Sequence, residues 1–215
     1  MNAALVPVKA LAAGKSRLAG RLPEGAQGRL ALAMLGDVVE TLRASGELAV
    51  VVVVTPDPRV AEEAAALGAE PLLRDDPGLN AALDAGGRHL APRGLEALLV
   101  VLGDVPGGHP EDVAQLFEAL RGLGGHGVVL APSRDGGTSA LLRAPWDAIP
   151  NRFGKDSAAA HRAAARTAAL PYSELPLASL AVDLDRVEDA EALCAASGAR
   201  RTRALLAELG FAARR

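Results

Sequence analysis

Four short runs of apolar residues, rich in β-branched side chains, alternate along the chain with longer segments of helical periodicity. The runs lie at residues 3–8, 49–54, 98–102 and 127–131, and turn residues follow each of them. Continuous apolar runs of this length predict strands buried on both faces of a parallel sheet. Residues 180–184 are predicted as a further short strand that ends in Asp183 and Asp185.

The segments between these runs place apolar side chains at intervals of three and four residues, the spacing of a helix with one buried face. Helices are predicted at 27–43, 60–67, 110–120, 157–169 and 188–196. Alternating strands and helices predict one α/β domain over residues 1–215, with a doubly wound, mostly parallel sheet flanked by helices. Such folds bind ligands beyond the carboxyl ends of their strands.

The amino-acid composition excludes several classes of protein. Cys194 is the single cysteine among 215 residues, which excludes a disulfide scaffold and a cysteine-rich zinc site. The 26 acidic residues outnumber the 23 basic ones, which argues against a general nucleic-acid binder. The longest apolar run, 48–54, is far shorter than the roughly 20 residues needed to cross a bilayer, and the first residues do not resemble a signal peptide. We therefore expect a cytoplasmic protein with no membrane or nucleic-acid partner.

Basic residues gather after the first predicted strand. Gly14, Lys15 and Ser16 resemble the end of a phosphate-binding loop, but that motif requires a glycine where Lys9 stands. Lys9, Lys15 and Arg17 nevertheless form a cluster suited to a polyphosphate. The alternative is a solvated basic loop without function, and the position after a strand favours binding.

Carboxylates follow two of the predicted strands. Asp104 comes directly after the run at 98–102, and Asp183 and Asp185 would share one face of the strand at 180–184. Oxygen ligands arranged in this way suit Mg²⁺ that bridges phosphates. A turn-forming role for Asp104 is the alternative.

Three further polar segments are candidates for substrate contact. Residues 131–140 combine two glycines with Arg134 and Thr138, and residues 152–157 end in Ser157 at a predicted helix N-cap, where free amides attract anions. His161 lies one turn later and could reach the same site, although a surface histidine is the simpler interpretation. Asn80 could read a base or a ribose, or could only cap a helix.

These motifs, in this order, resemble the guanylyltransferases of coenzyme F420 biosynthesis. The resemblance runs from residue 6 to 189 and rests on Val-Pro-Val-Lys at 6–9, Gly-Lys-Ser-Arg-Leu at 14–18, Leu-Gly-Asp-Val-Pro at 102–106, the segments at 131–140 and 152–161, and Val-Asp-Leu-Asp at 182–185. It implies a Rossmann-like fold of the glycosyltransferase-A type. It also implies transfer of GMP from GTP to a small phosphorylated acid, either phosphoenolpyruvate or 2-phospho-L-lactate, with release of pyrophosphate.

The resemblance also implies a role for each candidate residue. Mg²⁺ would be held by Asp104, Asp183 and Asp185, and the acceptor by Thr138, Gly154 and Ser157. The nucleotide would be bound by Lys9, Lys15, Arg17 and Asn80, with Lys15 and Arg17 also serving catalysis. No general base is expected, because the acceptor phosphate is already an anionic nucleophile.

Two other functions stay open at this point. One is a nucleotidyltransferase for another acceptor, such as 3-phosphoglycerate, molybdopterin or a sugar phosphate. The other is a noncatalytic nucleotide-binding domain, which would have no need of three acidic ligands. The alanine- and arginine-rich composition is typical of a high-GC bacterium, and the resemblance implies that the bacterial enzymes use phosphoenolpyruvate. Base selectivity and a homodimeric assembly are left open.

Overall fold

Seven strands form one sheet in the computed structural model, which describes residues 1–11, 18–75 and 78–211. Continuous runs of valine, leucine and alanine build the strands nearest the centre, because both faces of the sheet are covered. The strands are β1 (Asn2–Pro7), β2 (Val50–Thr55), β3 (Glu70–Leu73), β4 (Ala97–Val101), β5 (Gly127–Pro132), β6 (Thr138–Ala144) and β7 (Tyr172–Glu174).

The strand order is β3-β2-β1-β4-β6-β5-β7. Neighbours are parallel except at β6, which runs antiparallel to both β4 and β5. The predicted α/β architecture with a mostly parallel sheet is confirmed. Because β6 is reversed, its first residue, Thr138, lies at the same edge of the sheet as the carboxyl end of β4.

Helices cover both faces of the sheet and form a further layer on one side. They are α1 (Ala26–Ala44), α2 (Pro58–Ala66), α3 (Leu79–Leu90), α4 (Pro110–Gly122), α5 (Ser157–Thr167), α6 (Val187–Ala195) and α7 (Arg200–Glu208). Two short 3₁₀ turns lie at Ala19–Arg21 and Ala91–Arg93. In the described part of the chain, no helix is both long and apolar enough to span a bilayer.

Alternate strand residues point to opposite faces and fill two separate cores. Val6 and Leu99 belong to the core beneath α1, α2 and α4, whereas Leu5 and Leu98 belong to the core beneath α3 and α5. A third apolar cluster joins the outer side of α1 to α6 and α7. The sheet is therefore sandwiched between helices, which leaves its edge at the strand ends open for ligands.

The predicted strand at 180–184 is wrong. Leu180 packs into the core under α4, whereas Leu184 belongs to the outer cluster with α6 and α7, so the segment crosses from one cluster to another. It bends sharply, with the amide of Asp185 donating to the carbonyl of Asp183 at 3.1 Å. The alternating apolar side chains thus reflect two packing partners rather than the period of a strand.

Several elements were not predicted. The strands β3, β6 and β7 and the helices α3 and α7 lie in segments where the apolar pattern is short or interrupted. The glycines at 136 and 137 form the turn of a β5–β6 hairpin, in which Asp135 accepts hydrogen bonds from the Ser133 hydroxyl and the Gly137 amide.

Candidate functional site

A large cavity opens where the direction of the sheet's winding changes. Strands β2 and β3 lie on one side of β1, and β4 lies on its other side. Doubly wound α/β sheets bind ligands in the crevice beyond such a switch point. The cavity has a volume of about 490 Å³. Its walls come from the residues that follow β1 to β4 and from the first turns of α1, together with Leu79 and Ala82 of α3.

Three predicted carboxylates meet in this cavity. The amide of Leu184 donates to the carbonyl of Asp104 at 3.0 Å, which ties the 183–185 segment to the end of β4. Asp104, Asp183 and Asp185 all line the cavity. The tight turn, and not a shared strand face, brings Asp183 and Asp185 to one place.

The charges around Asp104 are unusual for a carboxyl group. Asp104 is open to solvent at the cavity surface, but the surrounding protein raises its pKa to about 6. Asp183 and Asp185 raise the pKa further by charge repulsion, while Lys9 lowers it. Burial likewise raises the pKa of Asp183. Crowded carboxyls of this kind are stabilised in their charged form by a cation.

The carboxylates of the cavity suit a Mg²⁺ ion that also takes ligands from a bound substrate. Among the residues that the structure describes, no three His, Cys, Asp or Glu side chains form a ready metal-binding group. Mg²⁺ in nucleotide sites is commonly bound by one or two carboxylates and completes its shell with water and substrate phosphates. The cavity therefore suits an ion that is bound together with a triphosphate, and not a closed protein cage.

Of the predicted basic cluster, only Lys9 belongs to the described residues. Lys9 is exposed and lines the cavity beside the carboxylates, whereas Lys15 and Arg17 lie outside the described residues. Asp57 anchors the described end of the loop, because its carboxylate accepts from the Leu11 amide and from the Arg59 amide, both at 2.9 Å. These hydrogen bonds, the one from Leu11 above all, lower the pKa of Asp57.

Thr138 and Ser157 form a second polar cluster with His161. The Ser157 hydroxyl donates to Thr138 Oγ1 at 3.0 Å, and Thr138 Oγ1 lies 3.0 Å from His161 Nδ1. All three residues are buried. Gly154 is exposed beside them, with a φ of 136° that side chains rarely tolerate, and its carbonyl accepts from the Ser157 amide at 3.2 Å.

Two expectations about this cluster are wrong. Asp156, with a φ of 54°, occupies the N-cap of α5, and Ser157 is the first helical residue, whose side chain turns inward. The first amides of α5 are not free either, since Ser157 donates to Gly154 and Ala158 donates to the Gly136 carbonyl at 3.2 Å. His161 is fully buried and is not a surface histidine.

Asn80 binds the protein's own backbone. Its Nδ2 donates to the Phe153 carbonyl at 3.1 Å, and its Oδ1 accepts from the Phe153 amide at 2.8 Å. It is not among the residues that line the large cavity, although its neighbour Leu79 is. The structure thus places Asn80 as a brace for the loop that carries Gly154.

Two other groups were missed from the sequence. Arg74 and Asp75 follow β3 and line the cavity wall next to Thr55 and Pro56. Arg143 is buried in β6, where its Nη1 donates to the Ile149 carbonyl at 2.7 Å, and burial lowers its pKa to about 10. A lone arginine within an apolar stretch was the visible signal for Arg143, whereas β3 is only four residues long and gave none.

Comparison with known proteins gives the family. The family model described as "Guanylyl transferase CofC like" matches residues 2–215. A phosphoenolpyruvate guanylyltransferase of Sphaerobacter thermophilus is 41% identical over 191 residues, which cover 88% of this chain and 91% of the relative. A 3-phospho-D-glycerate guanylyltransferase of Phenylobacterium zucineum is 38% identical over 214 residues and 97% of both chains.

A solved structure supports the fold. The putative nucleotide-diphospho-sugar transferase of Desulfovibrio desulfuricans G20 has a TM-score of 0.71 at 21% identity, and the match covers 96% of this chain and 94% of that one. The nucleotidyltransferase fold implied by the sequence motifs is therefore confirmed. With the family model and the curated relatives, these findings show that the chain belongs to the CofC-like guanylyl transferases, which are nucleotidyltransferases.

Proposed function

We propose that this protein transfers GMP from GTP to phosphoenolpyruvate. A phosphate oxygen of the acceptor attacks the α-phosphorus of GTP, the bond from that phosphorus to the α–β bridging oxygen breaks, and pyrophosphate leaves. The observation that carries the proposal is the meeting of Asp104, Asp183 and Asp185 in one cavity at the switch point of a nucleotidyltransferase sheet.

The chain's contribution to this reaction is positioning and charge neutralisation. Lys9 lies beside the carboxylates and would bind the triphosphate, together with Lys15 and Arg17, for which a catalytic role is proposed from the sequence motifs. Asp104, Asp183 and Asp185 would hold Mg²⁺, which neutralises phosphate charge when bound. No proton needs to be removed from the acceptor, so a site without a general base is sufficient.

The acceptor is proposed to bind at Thr138, Ser157 and Gly154. Hydroxyl donors and a glycine backbone suit an anion that carries both a carboxylate and a phosphate. The hydrogen bond from the Arg134 amide to the Ala181 carbonyl, at 3.1 Å, joins the β5–β6 turn to the segment that carries Asp183. This link supports an acceptor held close to the acidic cluster. The product would serve coenzyme F420 biosynthesis in the cytoplasm.

The test is an assay of the purified protein with GTP and Mg²⁺ and each candidate acid in turn. Release of pyrophosphate and formation of a guanylylated product are expected with phosphoenolpyruvate. No release with any of the phosphorylated acids would contradict the proposal, and tight GTP binding without turnover would favour a noncatalytic domain.

A second acceptor deserves a place in the same assay. The relative from Phenylobacterium zucineum is named for 3-phospho-D-glycerate, at an identity close to that of the phosphoenolpyruvate enzymes. Comparing kcat/KM for phosphoenolpyruvate, 2-phospho-L-lactate and 3-phospho-D-glycerate under one set of conditions separates these acceptors. A preference of tenfold or more for 3-phospho-D-glycerate would replace the first proposal.

A further inference from the structure

His161 is buried, uncharged and bonded at both ring nitrogens. Nε2 lies 2.9 Å from the backbone nitrogen of Arg152, and Nδ1 lies 3.0 Å from Thr138 Oγ1. A backbone N–H only donates, so Nε2 must accept and cannot carry a proton. The proton of the neutral ring is therefore on Nδ1, which donates to Thr138.

The surroundings keep the ring in this form. Burial lowers the pKa of His161 to about 4, and the positive charges of Arg143 and Arg152 lower it in the same direction. The Phe153 ring and the imidazole pack in a T-shaped arrangement, with the ring centroids 5.0 Å apart. A second proton on the ring would lie on Nε2 and face the N–H of Arg152, so that two donors would oppose each other.

The fixed tautomer determines which way the two hydroxyls can point. Thr138 Oγ1 already accepts from His161, so its own hydrogen is free to donate, and Ser157 is its hydroxyl neighbour at 3.0 Å. Ser157 donates to Thr138, so the hydrogen of the Thr138 hydroxyl is left over. Among the described residues no acceptor takes that hydrogen. The buried pair therefore keeps one unused hydrogen-bond donor, the kind of group that suits an anionic ligand.

The opposite arrangement would present the wrong polarity. If Nδ1 carried a lone pair, Thr138 could donate to the ring, and the hydroxyl pair could turn an acceptor toward the ligand. An oxygen lone pair facing a phosphate or a carboxylate is repulsive. The His161 tautomer thus determines whether Thr138 keeps its own hydrogen free to donate.

We propose that His161 is a positioning residue, which holds the Thr138–Ser157 hydroxyl pair as a hydrogen-bond donor to the anionic acceptor. The proposal rests on the proposed function in one respect, namely that the acceptor binds at this cluster. His161 acts through Thr138 and does not touch the reacting atoms. Because His161 also binds the Arg152 amide, it ties the hydroxyl pair to the loop that carries Gly154.

Two amide variants separate the ring's two hydrogen bonds. In His161→Asn, the amide nitrogen can occupy the place of Nδ1 and still donate to Thr138, but the Arg152 amide loses its acceptor. In His161→Gln, the amide oxygen can occupy the place of Nε2 and accept from Arg152, while Thr138 loses its donor. A role confined to stability predicts similar losses in both variants.

The readout is KM for phosphoenolpyruvate and, separately, KM for GTP. We expect His161→Gln to raise KM for the acid by about tenfold, the usual effect of one lost hydrogen bond to a charged group, and to change KM for GTP less than twofold. His161→Asn should recover most of the lost acceptor affinity. Melting temperatures identify any general loss of folding.

A double-mutant cycle tests whether His161 acts through Thr138. Thr138→Val removes the hydroxyl at nearly constant volume, and adding His161→Gln to it should raise KM for the acid no further. Fully additive losses would contradict the proposal, as would equal increases in both KM values for the Asn and Gln variants.

Proton–nitrogen NMR of histidine-labelled protein gives a readout that does not need turnover. A proton attached to Nδ1, with none on Nε2, is expected for His161, whose signals are assigned by their loss in the Asn variant. The reverse tautomer would overturn the proposal. If the wild type had no activity, the proposed function would be wrong, and the acceptor role of this cluster would fail with it. If the wild type were active and both variants lost equally, only the role of His161 would be wrong.

Discussion

At the scale of single residues, the charge state of Asp104 depends on what the cavity contains. Desolvation by the protein around the cavity and two acidic neighbours raise the pKa of Asp104, and Lys9 opposes them. A triphosphate bound without a cation would raise the pKa further, because it adds negative charge next to a carboxyl group. We therefore expect nucleotide and Mg²⁺ to bind more tightly together than either does alone.

Asp104→Asn tests this dependence. The variant keeps the size of the side chain and removes its charge, so kcat/KM should fall by at least about 100-fold, as expected when several kcal/mol of metal-dependent stabilisation are lost. The variant's melting temperature should stay near that of the wild type, since one of the crowded negative charges is gone. Pyrophosphate release and thermal unfolding measure the two effects.

Glu62→Gln is the matched control, because Glu62 is exposed on α2 and does not line the cavity. Its turnover should equal that of the wild type. If Asp104→Asn also retained full turnover, Asp104 would not be a metal ligand.

The buried His161 predicts how stability depends on pH. Its pKa is about 4 in the folded chain, compared with an ordinary value of 6.5. Between these values the unfolded chain binds a proton that the folded chain does not, so stability is complete above pH 6.5 and falls as the pH falls toward 4. The slope reaches at most about 1.4 kcal/mol per pH unit.

Urea unfolding of the wild type and His161→Asn at pH 7, 6 and 5 measures this contribution. The difference in unfolding free energy between the two proteins should shrink as the pH falls. His126→Asn replaces an exposed histidine and should leave the wild-type curve unchanged. Parallel curves for the wild type and His161→Asn would show that the ring is not buried in its neutral form.

At the scale of elements, one buried carboxylate docks the last helix. Asp37 of α1 accepts from the amides of Arg201 and Thr202 at 2.9 and 2.8 Å, and from the Thr202 hydroxyl at 2.6 Å. These bonds satisfy donors at the N-terminus of α7, which would otherwise be buried without partners. An exposed ion pair from Arg201 to Glu40, at 2.6 Å, lies beside them.

Asp37→Ala should therefore cost much more than Glu40→Ala. Removing Asp37 leaves buried donors unsatisfied, and we expect a loss of about 2–4 kcal/mol, whereas an exposed ion pair is worth at most about 1 kcal/mol. Urea denaturation of the two variants at pH 7 gives the comparison. Equal losses would mean that α7 is not held by Asp37.

The elements that sequence patterns predict well are those whose surroundings are uniform along their length. β1, β2 and β4 are buried on both faces, so a continuous apolar run marks each of them. β7 has three residues, all half-buried, and leaves no such mark. The 180–184 segment has the apolar pattern of a strand because its leucines belong to two different clusters.

The site was predictable to the extent that strand ends determine it. The ends of β1 and β4 place Lys9 and Asp104 in one cavity, as the rule for α/β sheets predicts. The brace between Asn80 and Phe153 joins residues 73 positions apart, and the inward turn of Ser157 depends on contacts with β6. Contacts of this kind depend on tertiary packing and leave no periodic pattern in the sequence.

At the scale of the whole molecule, the proposed nucleotide and acceptor sites lie on two different halves of the sheet. The parallel strands β3, β2, β1 and β4 end at the large cavity, whereas β5, β6 and the start of α5 carry the Thr138–Ser157 cluster. The two halves are joined by ladder pairing between β4 and β6 and by the link from Arg134 to Ala181.

The reversal of β6 has a consequence for how such enzymes diversify. Because β6 enters the sheet from the edge that carries the cavity, the whole proposed acceptor cluster is encoded in one contiguous stretch, from the β5–β6 turn to His161. The proposed nucleotide contacts would come instead from the ends of several strands spread along the chain. Exchanging residues 133–161 between two relatives should therefore transfer the acceptor specificity and leave nucleotide binding unchanged.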